Sequence, residues 1–286
     1  MLRVRILHAG EPRWGELKDD GVILLDGGTE VAAEGAHWLA PAEPTKIIAV
    51  HLTYQSRLTE YQAKTPPEPS YFMKPPTTLN GHLGELRRPH GTRFLNYEGE
   101  IAVIVGREMK GVAPDRVHEY VAGFAPANDV GLHDFRHADR GSMLRVKGQD
   151  GFLPMGPAMV TADQWTPDGG FELTTRINGE VVQHGDGPDL IWDYRYQLAD
   201  LCRVITLVPG DVVLTGTPAN SRPMDVGDVV EVEIAGLPAL RNTVVDWDVD
   251  LRGPGDQPET SANTLHVALA IPEDEAERRV AAGEVD

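Results

Sequence analysis

The stretch Asn96-Tyr97-Glu98-Gly99-Glu100-Ile101-Ala102-Val103-Ile104-Val105-Gly106 places two carboxylates at the head of an apolar, β-branched run. Such a run, closed by a glycine, reads as a buried strand. Residues i and i+2 of a strand share a face and stand roughly 6–7 Å apart along the backbone, so Glu98 and Glu100 project together. Two bare carboxylates held there repel each other and lose hydration. Either one takes up a proton or a cation sits between them. Oxygen ligands on a stiff element suit a hard divalent ion such as Mg²⁺. The competing reading puts both acids on the solvent face of an edge strand, and the triplet alone does not decide.

A chain of 286 residues can bury a full core. No apolar run approaches the roughly 18–20 residues of a membrane span. Met1–Leu7 alternates like a strand and lacks the apolar block of a signal peptide, so a cytoplasmic protein is expected. One cysteine, Cys202, excludes an internal disulfide, and its apolar neighbours place it in a core. The net charge of −18 argues against nucleic acid and anionic membrane as partners. Between Lys74 and Lys147 there are 11 Lys/Arg against 9 Asp/Glu, which leaves −20 for the rest of the chain. A locally basic middle around acids that want a cation suits a small anionic substrate.

Residues 1 to about 48 read as short strands, Leu2–Leu7, Trp14–Lys18, Val22–Leu25 and Lys46–Val50, punctuated by Asp-Gly turns. A short helix follows, with Thr53 or Ser56 as its cap and Arg57 and Glu60 on one face. Thr65-Pro66-Pro67-Glu68-Pro69 is a linker, after which Lys74 sits between an aromatic pair and two prolines. Pro114 to Val121 is expected as a helix. Asp129, in the mainly apolar Phe124–Val130, costs free energy unless paired or bound to a cation. It is the natural third ligand beside Glu98 and Glu100.

His133 and His137 have the i, i+4 spacing of a helical zinc pair, but no catalytic glutamate separates them and no third nitrogen or sulfur ligand is apparent. Arg136, Arg140, Arg145 and Lys147 form a basic run, either a solvated face or the surround of an anionic ligand. Asn178-Gly179 marks a hairpin between Glu172–Ile177 and Val181–Gln183. Asp189 caps a helix expected to reach about Thr206, and Thr215-Gly216-Thr217 can cradle a carboxylate. Val229–Ile234 and Leu240–Val245 complete the strands. Residues 250–286 are acidic, with a helix possible over Glu273–Ala282 and no recognisable site. The expected division is 1–66, a small β-rich domain; 67–249, the metal-binding domain; and 250–286, the tail.

Tyr97-Glu98-Gly99-Glu100, Asn128-Asp129, Lys147-Gly148 and Thr215-Gly216-Thr217-Pro218, in that order, resemble the fumarylacetoacetate hydrolase superfamily over roughly residues 46 to 246. The resemblance implies a β-rich α+β fold, a mixed β-sandwich roll, assembled as a homodimer. It implies a metal site of Glu98, Glu100 and Asp129 holding Mg²⁺, with Mn²⁺ or Ca²⁺ as substitutes. Substrates would be small anionic 2-oxo or 2-hydroxy acids that chelate the metal. Lys147 matches the family's active-site lysine and Thr217 a substrate-contacting threonine. Tyr54, Arg57, Lys74 and Arg136 complete the expected substrate contacts.

One departure bears on chemistry. Hydrolytic members carry Asn-Tyr-x-x-His-x-x-Glu, whose His–Glu dyad activates water; here Thr53-Tyr54-Gln55-Ser56-Arg57-Leu58-Thr59-Glu60 has arginine for the histidine. Arginine, with a pKa above about 12, is a poor general base and a good carboxylate clamp. His133 and Arg136 also stand where many members have Arg and Gln. Arg57 with the Leu144–Lys147 run resembles the homoprotocatechuate branch, whose members isomerise 2-hydroxyhepta-2,4-diene-1,7-dioate or 5-carboxymethyl-2-hydroxymuconate, or decarboxylate the related oxo-tricarboxylate. On that analogy the chain is a metal-dependent isomerase or decarboxylase, with Glu60 and His133 as candidate bases. The alternative is a C–C hydrolase of acylpyruvates.

Overall fold

The computed structural model describes residues 1–139 and 141–285. Arg140, a member of the basic run, lies outside the described residues. Two large sheets build most of the molecule, beside two two-stranded pairings, Leu95–Asn96 with Gly131–Leu132 and Leu153–Pro154 with Leu79–Asn80. The larger, of 11 strands, runs Glu30–Ala32, Val22–Leu25, Glu11–Leu17, Leu2–His8, Ala158–Thr161, Val121–Asn128, Gly99–Val105, Val212–Leu214, Ile47–His51, Ser70–Lys74, with His37–Leu39 added beside Leu2–His8. The smaller, of 5, runs Glu180–Asp186, Glu172–Ile177, Val229–Ile234, Leu240–Trp247, Glu85–Pro89. The result is the β-rich α+β fold expected.

Gly99–Val105 is an interior strand, antiparallel to Val121–Asn128 on one side and to Val212–Leu214 on the other. The edge-strand reading of the two glutamates is therefore excluded. Both faces of this strand are covered: Ile101, Val103 and Val105 enter one apolar core, Ala102 and Ile104 another. This is why its sequence is apolar at every position rather than at alternate ones. The smaller sheet packs against the larger here so closely that a Cβ on Gly99 would stand 2.2 Å from Thr175 Oγ1. The glycine between the two glutamates is a point of close contact between sheets.

The N-terminal strands share the large sheet with the rest of the chain, through Leu2–His8 against Ala158–Thr161. Ile47–His51, placed by the sequence reading in the N-terminal unit, lies parallel to Val212–Leu214 well inside that sheet.

Six α-helices are described: α1, Gln55–Glu60; α2, Arg136–Asp139; α3, Leu144–Lys147; α4, Tyr194–Val204; α5, Ala262–Leu269; and α6, Glu273–Ala282. Among the described residues none is long and apolar enough to cross a membrane. Several local expectations are corrected. Pro114–Tyr120 is a 3₁₀ helix, and Val121 already opens a strand. Neither Thr53 nor Ser56 caps α1: Thr53 Oγ1 donates to the Thr215 carbonyl, and Asp189 accepts the Ser56 amide at 2.9 Å. Asp189 thus serves the start of α1 from across the molecule, while α4 is capped by Asp193, which accepts from the Tyr196 amide at 2.8 Å.

Candidate metal centre

Glu98, Glu100 and Asp129 converge, each offering an oxygen within 4.8 Å of the other two, and all three are buried. The strand Gly99–Val105 holds Glu100, and its partner Val121–Asn128 ends one residue before Asp129. The backbone ties these ends together: the Asp129 amide donates to the Glu98 carbonyl at 2.8 Å, and Asn128 Oδ1 accepts the Glu98 amide at 2.8 Å. Glu100 Oε2 accepts the Gly216 amide at 2.7 Å. Gly216 has φ +97°, and a Cβ there would meet Thr53 Oγ1 at 1.9 Å, so only glycine brings its amide to this carboxylate. The Thr215-Gly216-Thr217 turn does cradle a carboxylate, that of Glu100.

Two lysines reach the acids from outside the triad. Lys147, at the end of α3, donates to Glu98 Oε2 at 2.7 Å and to the Asp129 carbonyl at 2.5 Å, with Asp129 Oδ2 at 3.1 Å. Lys74, at the end of the Ser70–Lys74 strand, bonds Asp129 Oδ1 and donates to the Phe152 carbonyl at 3.1 Å. Burial by itself would raise the Asp129 carboxyl, but Lys147 and Lys74 more than reverse this and hold it below its ordinary value. Glu100 behaves oppositely. Burial, with Asp129 and Glu98 beside it, pushes its carboxyl well above the usual range, against the weaker pull of Lys147 and the Gly216 amide. A buried carboxylate among like charges, within an all-oxygen donor set, fits a hard divalent cation.

The triad forms part of a cavity of about 1090 Å³. Arg57, Glu60, His133, Arg136, Lys147 and Thr217 also line it. Tyr54 and Lys74, expected as substrate contacts, do not line this cavity. Tyr54 is wholly buried in the core with Ile101, Val103 and Leu198, and Lys74 is committed to Asp129. In both cases an adjacent stretch was legible but the direction of the side chain was not.

Arg57 is buried, with Nη1 on Glu60 Oε2 at 2.7 Å and Nη2 at 3.5 Å from Glu98 Oε1, its guanidinium lying 4.5 Å over the Tyr61 ring. Glu60 also pairs with Arg222 at 2.7 Å and accepts the Asn220 amide at 3.1 Å. Glu60 is thus held by three fixed partners and anchors Arg57. His133 is the contrary case: it is buried and neither ring nitrogen has a hydrogen-bond partner. Burial, then the charges of Arg136, Lys147 and Arg57, hold its imidazole well below the usual histidine range, so it is neutral at pH 7. His137 Nδ1 instead stands 3.6 Å from Glu259 Oε1, and among the described residues neither histidine joins a cluster of three metal-ligating side chains.

The sequence reading missed two contributions. Gln183 accepts from the Gly99 amide at 3.1 Å and from Thr175 Oγ1 at 2.9 Å. Its Nε2 donates to Thr217 Oγ1 and the Pro218 carbonyl, both at 3.0 Å. The second miss is larger: the tail read as siteless supplies part of the cavity wall, through Asn263, His266, Ile271, Glu273 and Glu277.

Residues 46–245 match the family described as Fumarylacetoacetate (FAA) hydrolase C-terminal. An uncharacterised protein of Archaeoglobus fulgidus is 37% identical over 87% of this chain and 98% of its own length. The homoprotocatechuate catabolism bifunctional isomerase/decarboxylase of Escherichia coli is 35% identical over 70% of this chain, which spans only 46% of that enzyme. The crystal structure of 5-carboxymethyl-2-hydroxymuconate delta-isomerase from Mycobacterium smegmatis superposes with a TM-score of 0.78 at 32% identity, covering 87% of this chain and 100% of its own. With the acidic triad, Lys147 and the Gly216 turn set in this fold, the chain belongs to the fumarylacetoacetate hydrolase family.

Proposed function

We propose that the chain is a divalent-metal-dependent isomerase, with decarboxylation as a second outlet of the same enolate chemistry. Its substrates are 2-oxo or 2-hydroxydiene dicarboxylates of aromatic catabolism, of the 2-hydroxyhepta-2,4-diene-1,7-dioate type. The observation that carries this reading is the buried triad of Glu98, Glu100 and Asp129 beside Arg57, which occupies the position of a hydrolytic histidine. A cation held by the triad, Mg²⁺ for preference, supplies a Lewis acid for the oxygens of a 2-oxo carboxylate.

The chain's own residues supply the rest. Lys147 spans Glu98 and Asp129 and offsets one of their two negative charges. Arg57, locked to Glu60, cannot accept a proton and so cannot activate water. His133, neutral and with both nitrogens free of partners, takes the proton from one carbon of the substrate and returns it to another. Arg136 Nη1 contacts the Met143 sulfur at 2.9 Å and forms no ion pair with an acid among the described residues, so it is available to a second substrate carboxylate.

The test is an ultraviolet time course on 2-hydroxyhepta-2,4-diene-1,7-dioate, with EDTA or Mg²⁺, and products identified by mass. Loss of dienol absorbance at constant mass, abolished by EDTA and restored by Mg²⁺, is the expected result. Addition of water with fragmentation would make the chain a hydrolase instead.

A further inference from the structure

His133 lines the cavity with no hydrogen bond to orient its ring, since neither buried nitrogen has a partner among the described residues. Such a side chain takes its direction from its own backbone and from packing. The backbone of the His133–Phe135 turn is therefore decisive, and it is held from two sides. On the inner side the His133 amide donates to the Phe94 carbonyl at 2.9 Å. Asp134 Oδ1 accepts the Arg93 amide at 3.0 Å, and its Oδ2 accepts the Phe94 amide at 2.9 Å. Arg93 and Phe94 thus fix the turn through three bonds.

The outer side comes from the far end of the chain. The Glu259 amide donates to the Asp134 carbonyl at 2.9 Å. Leu265 and Ala268 of α5, with Ala276 of α6, bury against Phe94. Arg93 Nη1 donates to the Val285 carbonyl at 2.9 Å. Both residues that grip the turn are themselves gripped by this segment. Two bonds remote from the turn keep it docked: Asn96 Nδ2 donates to the Ala268 carbonyl and Tyr61 Oη to the Val267 carbonyl, each at 2.9 Å. The family match ends at residue 245, so the outer support is an addition to the matched domain.

We propose that residues 259–285 are a positioning element for His133, holding its turn at the distance that proton transfer to and from the substrate requires. The inference rests on the reading of His133 as the proton carrier. A displacement of about 1 Å at a reacting group can cost about a hundredfold in rate. The triad hangs instead on the interior strand Gly99–Val105 and its two neighbours, so chelation there is independent of the segment.

The test uses two substitutions in the full chain. Glu259→Pro removes the N–H that reaches Asp134 and leaves the apolar docking and the two remote bonds in place. Ala268→Arg drives a charged side chain into the packed face of α5. For 2-hydroxyhepta-2,4-diene-1,7-dioate, kcat is expected to fall about tenfold in the first and about a hundredfold in the second, with KM unchanged in Glu259→Pro. Oxalate, which can chelate Mg²⁺ without reaching His133, is expected to bind both variants with the parent's affinity and stoichiometry in calorimetric titration. Parent kcat in both variants would overturn the inference. So would a loss of oxalate stoichiometry in step with kcat, which marks a merely structural role. Absence of turnover in a parent chain that still binds oxalate would overturn the reading of His133 and this inference with it.

Discussion

Arg57 and Glu60, one turn apart on α1, form a buried ion pair at 2.7 Å, and the same guanidinium reaches toward Glu98 at 3.5 Å. One side chain thus joins the helix to the acidic triad. Removing one member of a buried pair costs up to about 3–5 kcal/mol, an upper end here because Glu60 keeps Arg222 at 2.7 Å. Arg57→Ala is expected to lose stability on that scale in urea unfolding. Arg57→His restores a side chain able to accept a proton, and is expected to gain acylpyruvate hydrolysis, read by the mass of the products. Unchanged chemistry in that variant would count against Arg57 as the branch point.

Glu100 separates stability without metal from stability with it. Its carboxylate is buried among like charges, so Glu100→Gln is expected to raise the melting temperature of the metal-free protein. The same change removes a ligand, so the rise on adding Mg²⁺ should vanish. For comparison, saturation at a hundredfold excess over Kd is worth about 2.7 kcal/mol. Calorimetric scans with EDTA and with Mg²⁺ read both effects.

His133→Gln tests the proton carrier. Turnover is expected to fall by about 10²–10⁴, the usual contribution of a general base. The Mg²⁺-induced shift in melting temperature should persist, because His133 is not a ligand in the triad. A variant that loses both would indicate a structural role.

His82 makes an acid-sensitive spot away from the site. Its Nδ1 accepts the Arg241 amide at 3.1 Å, and burial, then the Arg241 charge, pulls it from 6.5 to about 4. Above pH 6.5 both folded and unfolded chains hold it neutral. Between pH 6.5 and about 4 the unfolded chain binds a proton that the folded chain does not, so stability falls as pH falls. Urea midpoints at pH 7.5 and 4.5 should therefore lie closer together in His82→Gln than in the parent.

Gly99→Ala tests the contact between sheets. A Cβ there meets Thr175 Oγ1 at 2.2 Å, an overlap that must displace one strand. Overpacking of this kind costs about 1–3 kcal/mol. Thr175→Ala removes the obstructing oxygen, so the double variant is expected to be less destabilised than the sum of the singles.

The triad was legible because it rests on short-range rules: strand parity aims Glu98 and Glu100 together, and an acid in an apolar stretch asks for a partner. Helix α6 was legible over Glu273–Ala282 for the same reason. The location of α6 was not, since nothing in its own pattern tells that Ala276 will pack near Phe94. Lys74 and Tyr54 show the same limit. Each lies beside residues of the site, but one turned to Asp129 and the other into the core, and only the pairing of distant strands decides which. Asp189 was legible as a capping residue, though the helix end it serves lies 133 positions away.

Gln183 spends both ends of its amide on fixed partners, the Gly99 amide and Thr175 on one side, Thr217 and the Pro218 carbonyl on the other. The hairpin that carries it is therefore a gauge, setting the spacing between the strand that holds Glu100 and the loop that holds Thr217. Its exposed turn is itself fastened, since Asn178 Oδ1 accepts the Val229 amide at 2.9 Å and Nδ2 donates to Asp228 Oδ1 at 2.8 Å. A one-residue slip in the strand would turn Gln183 to the opposite face and release both sides of the site together.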